Sequence, residues 1–260
     1  MNPLKLKRTV GLVAVGVITL WAVCSPSAQA ETSAVDPAAV QTLKRMTDYM
    51  GSLKQFRVKT QNTIEDLTES GHRVDYDVSA TVTVSRPNKL KAQRKGDLID
   101  QTFYYNGKTL TLYNPSDKVY ATESAPGTIE GMLSFARSSL GLVIPAADLV
   151  YRNNFQLLMR DVTLATVIGK EFIGGVECDH LLFSRPGVDF QVCVAASGEP
   201  LPYKYVVTDT STCALISIST VMSDWNAAPG VDDASFNFMP PKGVKKISFM
   251  PLKVENGSGR

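Results

Sequence analysis

The chain has 260 residues, with 27 Lys and Arg against 25 Asp and Glu, and its hydrophobic share of 44% and charged share of 20% are those of an ordinary globular protein. Three of the bases and none of the acids lie within residues 1–30, which leaves 24 bases against 25 acids and a net charge of about −1 in the rest. A nucleic-acid partner needs a clear positive excess on one face, so this balance excludes that class.

The amino-terminal segment has the order of charges and apolar residues that is typical of a secretory signal peptide. It contains Lys5, Lys7 and Arg8, then an uncharged run from Val10 to Val23, and then Ala28-Gln29-Ala30. Small residues at such spacing indicate cleavage before Glu31. We therefore predict that residues 1–30 are removed and that residues 31–260 form a single domain in the periplasm.

Two alternatives to cleavage involve the membrane. The uncharged run is about 14 residues long, whereas a spanning helix needs roughly 20, so an uncleaved anchor is disfavoured. A lipid attached at Cys24 is the second alternative, but Trp21 and Val23 do not give the pattern that such processing recognises. We expect a protein that is not integral to the membrane.

The first predicted element after the leader is a helix. Asp36 and Pro37 suit an N-cap and a first-turn proline, and the helix should end near Gly51. Its apolar face has residues at helical spacing, namely Val40, Leu43, Thr47 and Met50.

After the helix, the hydrophobic period changes to two. Apolar residues alternate with polar ones through a long strand at positions 74, 76, 78, 80, 82 and 84. Four shorter strands follow at Leu90–Arg94, Leu98–Tyr105, Thr109–Tyr113 and Lys118–Glu123, with turns at Asn106-Gly107 and at residues 114–117. The pattern predicts a mainly β fold with an antiparallel meander.

A helical insertion at about 128–160 interrupts the strands. Thr128 can cap a helix that Gly141 ends, and its apolar residues share one face, namely Ile129, Met132, Leu133, Ala136 and Leu140. A second helical stretch opens at Pro145, a third is expected around 155–160, and strands resume at Thr163. These helices either complete the core or form a movable lid over an apolar cavity.

Three cysteines remain after the leader, namely Cys178, Cys193 and Cys213. The residues between the first two indicate strand, turn and strand, and a turn at 184–187 would pair 183 with 188 and place Cys178 opposite Cys193. Opposed residues suit a disulfide, which the oxidising periplasm favours. We predict a Cys178–Cys193 bridge; three free thiols or a Cys193–Cys213 bridge are the alternatives.

The sequence offers little catalytic material. There are two histidines, and His180 lies two residues after Cys178 on the same strand face. Two such residues do not make a metal site, so a structural histidine is the simpler interpretation, and we predict no metal, no cofactor and no enzyme activity. Trp225 is expected either to plug one end of a barrel, with its N–H bonded to a carbonyl, or to contact a ligand.

Several short motifs resemble an uncharacterised family of predicted periplasmic proteins over about residues 36–249. They are Arg86-Pro87-Asn88-Lys89-Leu90, Tyr104 to Leu110, Pro126-Gly127-Thr128-Ile129, Cys178-Asp179-His180-Leu181, Pro200-Leu201-Pro202 and Asp224-Trp225-Asn226. That family is in turn similar to the lipoprotein-carrier superfamily of LolA and LolB. The resemblance implies a half-open, curved antiparallel sheet, an incomplete barrel closed by the amino-terminal helix and an inserted helical lid.

The resemblance also implies a class of function. We expect a non-catalytic carrier or sensor of a lipid, an acyl chain or an acylated protein. The candidate ligand contacts, on the long strand, the lid and the barrel end, are Tyr76, Val78, Ile129, Met132, Leu133, Leu140 and Trp225. The alternative is a ligand-free module that binds a protein partner in the cell envelope.

Overall fold

The structure is a computed structural model that describes residues 34–97 and 99–249. The predicted signal peptide, its cleavage site and Cys24 lie outside the described residues, and so does Leu98. The prediction of export therefore stays a prediction.

Three α-helices and two short 3-10 helices occur in the described residues: α1 (Pro37–Ser52), α2 (Ile129–Leu140), α3 (Asn154–Leu158) and the 3-10 turns Ala147–Leu149 and Asp233–Phe236. Asp36 caps α1 by accepting from the Ala38 amide at 2.8 Å, as predicted. Thr128 caps α2 through the Gly131 amide at 3.1 Å, and Gly141 ends α2 in the left-handed region at φ 65°. The local sequence signals for both long helices are confirmed.

The described strands form one open, curved sheet. In sequence order they are β1 (Gln55–Leu67), β2 (Arg73–Ser85), β3 (Lys89–Gly96), β4 (Asp100–Tyr105), β5 (Thr109–Asn114), β6 (Val119–Ser124), β7 (Leu164–Ile173), β8 (Val176–Arg185), β9 (Val188–Ala195), β10 (Pro202–Asp209), β11 (Ser217–Asn226) and β12 (Lys245–Ile247).

The order across the sheet is β12-β6-β5-β4-β3-β2-β1-β11-β10-β9-β8-β7. All neighbours are antiparallel except β12 and β6. Because β12 and β7 form the two ends of this order and do not pair with each other among the described residues, the sheet is not closed into a barrel. The predicted incomplete barrel is confirmed.

Helices α1 and α2 bury their apolar faces in one core with one face of the sheet. This face is called the inner face below, and the other is the outer face. The buried helical residues include Ala39, Leu43, Met46, Met50, Ile129, Met132, Leu133 and Ala136, and the strand residues include Phe56, Val84, Phe103, Tyr105, Phe183 and Phe190. The rings of Phe183 and Phe190, which oppose each other on β8 and β9, stack at 4.8 Å between centroids.

The predicted register of the β8–β9 hairpin is wrong. Arg185 pairs with Val188 around a two-residue Pro186-Gly187 turn, and Gly187 takes a φ of 80°, which glycine adopts without strain. The turn lies nearer the carboxyl end than predicted, so the pairing slips by two residues. Cys193 therefore opposes His180, Cys178 opposes Ala195, and all three described cysteines are free thiols. The predicted Cys178–Cys193 disulfide is not formed.

Candidate functional site

A narrow apolar cavity lies between the inner face of the sheet and the helical insertion. Its volume is about 60 Å³. Every residue that lines it is apolar except Thr60, and the lining comes from α1, from strands β1, β2, β3 and β11, from Leu133 of α2, and from residues 144–150. Water has few polar partners there, so the cavity favours an apolar occupant.

A wider groove of about 490 Å³ lies beside the cavity. The inner face contributes Tyr205, Val207 and Ile218 to the groove, and charged residues line it as well, among them Arg137, Asp148 and Arg185. Burial raises the pKa of Tyr205, so its hydroxyl stays neutral. The groove and the cavity share the residues Ile144, Pro145, Ala146 and Ala147, so this stretch of chain is the wall between them.

The wall belongs to a segment, residues 141–150, which we call the closing segment. It takes no part in the sheet, and only its Ala147–Leu149 turn is helical. Its polar attachments are the backbone bonds from the Gly141 and Leu142 amides to the Ala136 carbonyl, two 3.4 Å bonds, from Arg94 to the Val143 carbonyl and from Asn154 to the Leu149 carbonyl, and an Arg137–Asp148 ion pair at 3.2 Å. Segments with so few backbone bonds open at low free-energy cost.

Trp225 is one of the residues that line the cavity. Its indole Nε1 donates to the Pro202 carbonyl at 2.9 Å, and its ring lies 5.8 Å from that of Phe56, measured between centroids. The predicted bond from the indole to a neighbouring carbonyl is therefore present. The same side chain therefore makes the predicted carbonyl bond and lines the cavity, while its role as a plug stays a prediction.

The other predicted ligand residues are dispersed. Leu133 lines the cavity with Trp225, whereas Ile129, Met132 and Leu140 pack in the core outside it. Val78 and Tyr76 lie nearer the start of β2, away from the cavity. They line a cleft together with several aspartates, and Tyr76 is 41% exposed. The closing segment and the β1 residues Phe56 and Val58 were not among the predicted ligand contacts. Phe56 and Val58 alternate with polar residues as strand residues do, so this signal was present in the sequence.

A polar cluster occupies the outer face at the β7 end of the sheet. Glu171 of β7 accepts from the Cys193 thiol at 3.0 Å and pairs with Lys204 at 3.0 Å, and Nδ1 of His180 lies 3.5 Å from its Oε2. His180 also bonds Gln191 through Nε2 at 2.9 Å. The Cys193 hydrogen bond, with help from Lys204 and His180, outweighs burial and lowers the pKa of Glu171.

The two buried thiols are poor nucleophiles. Burial raises the pKa of Cys178 to about 11, and burial together with the Glu171 carboxylate raises that of Cys193 further. Both stay protonated near neutral pH, whereas a catalytic cysteine needs a lowered pKa.

The structure is similar to several solved structures at low sequence identity. One is an uncharacterized conserved protein from Thermus thermophilus, with 9% identity over 81% of this chain and 99% of that chain and a TM-score of 0.48. Another is the lipoprotein LppX of Mycobacterium tuberculosis, with 16% identity over 74% of this chain and 96% of that chain and a TM-score of 0.43. A LolA superfamily protein from Nitrosomonas europaea has 13% identity over 77% of this chain and 97% of that chain, with a TM-score of 0.41.

No curated protein matches the sequence. No helix among the described residues has both the length and the apolar character needed to cross a membrane. A family model described as a predicted periplasmic protein, DUF2092, matches residues 39–250, which is most of the chain. The chain therefore belongs to the DUF2092 family of predicted periplasmic proteins.

Proposed function

We propose that the protein is a periplasmic carrier or sensor that binds an apolar ligand, of the class of an acyl chain, between the inner face of the sheet and the closing segment. The observation that carries this proposal is the apolar cavity, whose lining includes Leu133, Trp225 and the wall residues 144–147. An interior lined in this way gives a hydrocarbon a favourable environment, since burial of apolar area contributes about 25 cal/mol per Å².

The cavity as it stands is too small for a lipid tail. Its volume of about 60 Å³ equals the share of about two water molecules in the liquid. A ligand of the size of a lipid tail would therefore have to displace part of the wall. Outward movement of residues 144–147 would join the cavity to the groove of about 490 Å³, a size within the range of about 300–1,000 Å³ of ligand pockets.

The helix predicted as a lid is a less suitable moving part than the segment that follows it. Ile129, Met132 and Leu133 of α2 are each at most 2% exposed, so moving α2 would expose its whole apolar face. The closing segment contacts the rest of the protein through few hydrogen bonds and already exposes Val143. We therefore assign the gate to residues 141–150 and the fixed wall of the site to α2.

A second candidate function is protein binding at the edge of β7 beyond Ala165, whose amide and carbonyl already bond Ala34 and Asp36. This end strand exposes Ile168 by 55% and Phe172 by 69%. Exposed apolar edge strands are sites at which another chain can add a strand. This surface favours an envelope protein as partner, and it does not require the cavity to open.

Mass spectrometry of lipids extracted from protein purified from the periplasm separates the two functions. If the protein is a carrier or sensor, an acyl lipid should co-purify with the wild type at nearly one molecule per chain. A variant changed at an exposed surface position should retain this lipid. Ala147→Leu, which fills the cavity, should lose it. The binding-module alternative predicts lipid-free protein. Loss of a co-purifying protein after Phe172→Lys, with no lipid in the wild type, would support that alternative and overturn the proposal.

A further inference from the structure

We propose that Glu171, His180 and Cys193 form a binding site for a divalent transition-metal ion of the zinc class. The three residues stand on adjacent strands, β7, β8 and β9, and their side chains share the outer face. One carboxylate oxygen, one imidazole nitrogen and one sulfur lie within 4.8 Å of one another. No two of these residues are neighbours in sequence, so the register of the sheet creates the group.

The spacing of the three atoms fits a tetrahedral ion. Zinc bonds of about 2.3 Å to sulfur and about 2.0–2.2 Å to nitrogen or oxygen place neighbouring ligand atoms about 3.4–3.6 Å apart. The observed separations are 3.0 Å from Sγ of Cys193 to Oε2 of Glu171 and 3.5 Å from Nδ1 of His180 to the same oxygen. The third pair, the imidazole nitrogen of His180 and Sγ of Cys193, lies within 4.8 Å, so these two side chains would have to move closer together to complete the ligand triangle.

The partner of His180 orients the ring for this role. Nε2 donates to Oε1 of Gln191 at 2.9 Å, so the proton of a neutral imidazole sits on Nε2. In the neutral ring, Nδ1 would direct a lone pair towards the carboxylate of Glu171, and two acceptors would face each other at 3.5 Å. A cation between them relieves this repulsion, and a second hydrogen bond that fixes the tautomer is a usual feature of metal-binding histidines.

The charges and exposure also suit an ion. Lys204 occupies Oε1 of Glu171 and leaves Oε2 to the proposed metal. When the ion binds, the Cys193 thiol releases its proton to solvent as the metal–sulfur bond forms, so the thiolate and the carboxylate that Glu171 shares with Lys204 offset part of the positive charge. The side chains of Glu171 and His180 are 30% and 19% exposed, whereas Cys193 is buried, so an ion would enter from the side of Glu171 and His180.

The simpler explanation of the cluster is a polar network in which His180 carries a second proton and pairs with Glu171 directly. That network needs no metal, and it leaves the Cys193 thiol as a hydrogen-bond donor only. The two explanations differ in whether the protein takes up a thiolate-binding metal. Because the cluster lies on the outer face, the outcome is independent of the apolar cavity.

The test is titration of the metal-free protein, purified from the periplasm and treated with a chelator, with Co²⁺ and then Zn²⁺. We expect one ion per chain, a thiolate-to-cobalt absorption band, displacement of cobalt by zinc, and a rise in Tm with zinc. His180→Gln and Cys193→Ser should each weaken binding at least tenfold, and Cys193→Ser should abolish the band. Cys213→Ser, which removes the exposed thiol, is the matched control and should change nothing.

Two results would overturn the site. The first is a wild type that takes up no cobalt, and the second is a thiolate band that survives in Cys193→Ser or disappears in Cys213→Ser. If Cys193→Ser does not fold, His180→Gln and Glu171→Gln answer the same question through the zinc affinity, since neither removes a sulfur. Binding unchanged in both of those variants would also contradict the proposal.

Discussion

Nη1 of Arg86 lies 3.8 Å from Oε1 of Glu130, and this contact joins the end of β2 to the first turn of α2. The Arg86 side chain is only 2% exposed, and its Nε and Nη2 are buried without a hydrogen-bond partner among the described residues. Burial lowers the pKa of Arg86, while the charge of Glu130 raises it. The same Glu130 oxygen accepts from the Arg152 amide at 3.0 Å, so one carboxylate links the start of α2 to Arg86 and to the stretch just before α3.

Glu130→Gln should destabilise the protein although it keeps an acceptor for Arg152. The change leaves the buried Arg86 without a nearby opposite charge, and such a loss costs about 1–3 kcal/mol. Arg86→Met should cost less, because it removes the buried charge itself. Urea unfolding at neutral pH measures both, with the exposed Glu123→Gln as control. If Glu130→Gln lowers the free energy of unfolding no more than Glu123→Gln does, the buried charge of Arg86 is compensated by a group other than Glu130.

The loss of folding stability at acidic pH should depend on Glu65. Burial alone would raise the pKa of this carboxyl, but the hydrogen bonds from Ser217 and the charge of Arg73 outweigh it and lower the pKa below the ordinary 4.5. A group with a lowered folded pKa contributes stability above its unfolded pKa, and that contribution is lost as the pH falls below about 4.5 and through the folded value. Glu65→Gln should therefore reduce the loss of stability on acidification.

The measurement for Glu65 is the free energy of unfolding in urea at neutral pH and at pH values below 4.5, the ordinary value for Glu. Glu69→Gln, in the exposed turn after β1, is the matched control and should leave the pH dependence as it is. Equal slopes for Glu65→Gln and the wild type would contradict the assignment.

The three cysteines should differ strongly in reactivity. Cys213 is exposed, whereas Cys178 and Cys193 are buried with raised pKa values, so an alkylating reagent near neutral pH should modify Cys213 alone. Denaturant should expose the other two. Mass spectrometry of the labelled protein gives the count. If two cysteines remain unmodified in denaturant until a reductant is added, they form a disulfide. That result would contradict the free cysteines of the structure.

Ala147→Leu should block ligand binding with little change in the fold. Ala147 is 4% exposed and lines both the cavity and the groove, so the added carbons enter the cavity. We expect the Kd for a fluorescent fatty acid to rise at least tenfold and the free energy of unfolding to change by no more than about 1–3 kcal/mol, the usual range for added core volume. Ala38→Leu, on the exposed side of α1, is the control and should bind as the wild type does.

Local signals in the sequence predicted the elements whose ends are chemically marked. Thr128 and Gly141 delimit α2, and Asp36 with Pro37 begins α1, because caps depend on one or two residues. Strand β1 was missed, since its inner face includes the polar Asn62. That side chain is 4% exposed and bonds the Thr60 hydroxyl of its own strand at 3.0 Å, but its other partners, the Val78 carbonyl and the Thr220 hydroxyl, each at 2.9 Å, come from neighbouring strands.

Pairings across strands were harder to predict. The sequence around Pro186 and Gly187 allows more than one turn, and a slip of two residues keeps every side chain on its face while changing its partner. That slip places Cys193 beside His180 in place of Cys178. Glu171 and Lys204 come from strands outside the hairpin, so the outer-face cluster depends on the register of the whole sheet and on no local motif.

Quenching of Trp225 by a brominated fatty acid tests the central claim most directly. Trp225 lines the apolar cavity, and within residues 31–260 it is the sole tryptophan of the sequence. Bromine quenches indole fluorescence only at close range, so an acyl chain in the cavity should give saturable quenching that the unbrominated parent acid reverses and that Ala147→Leu weakens. Fluorescence that stays unchanged up to the solubility limit of the brominated acid would contradict the binding of an acyl chain at this site.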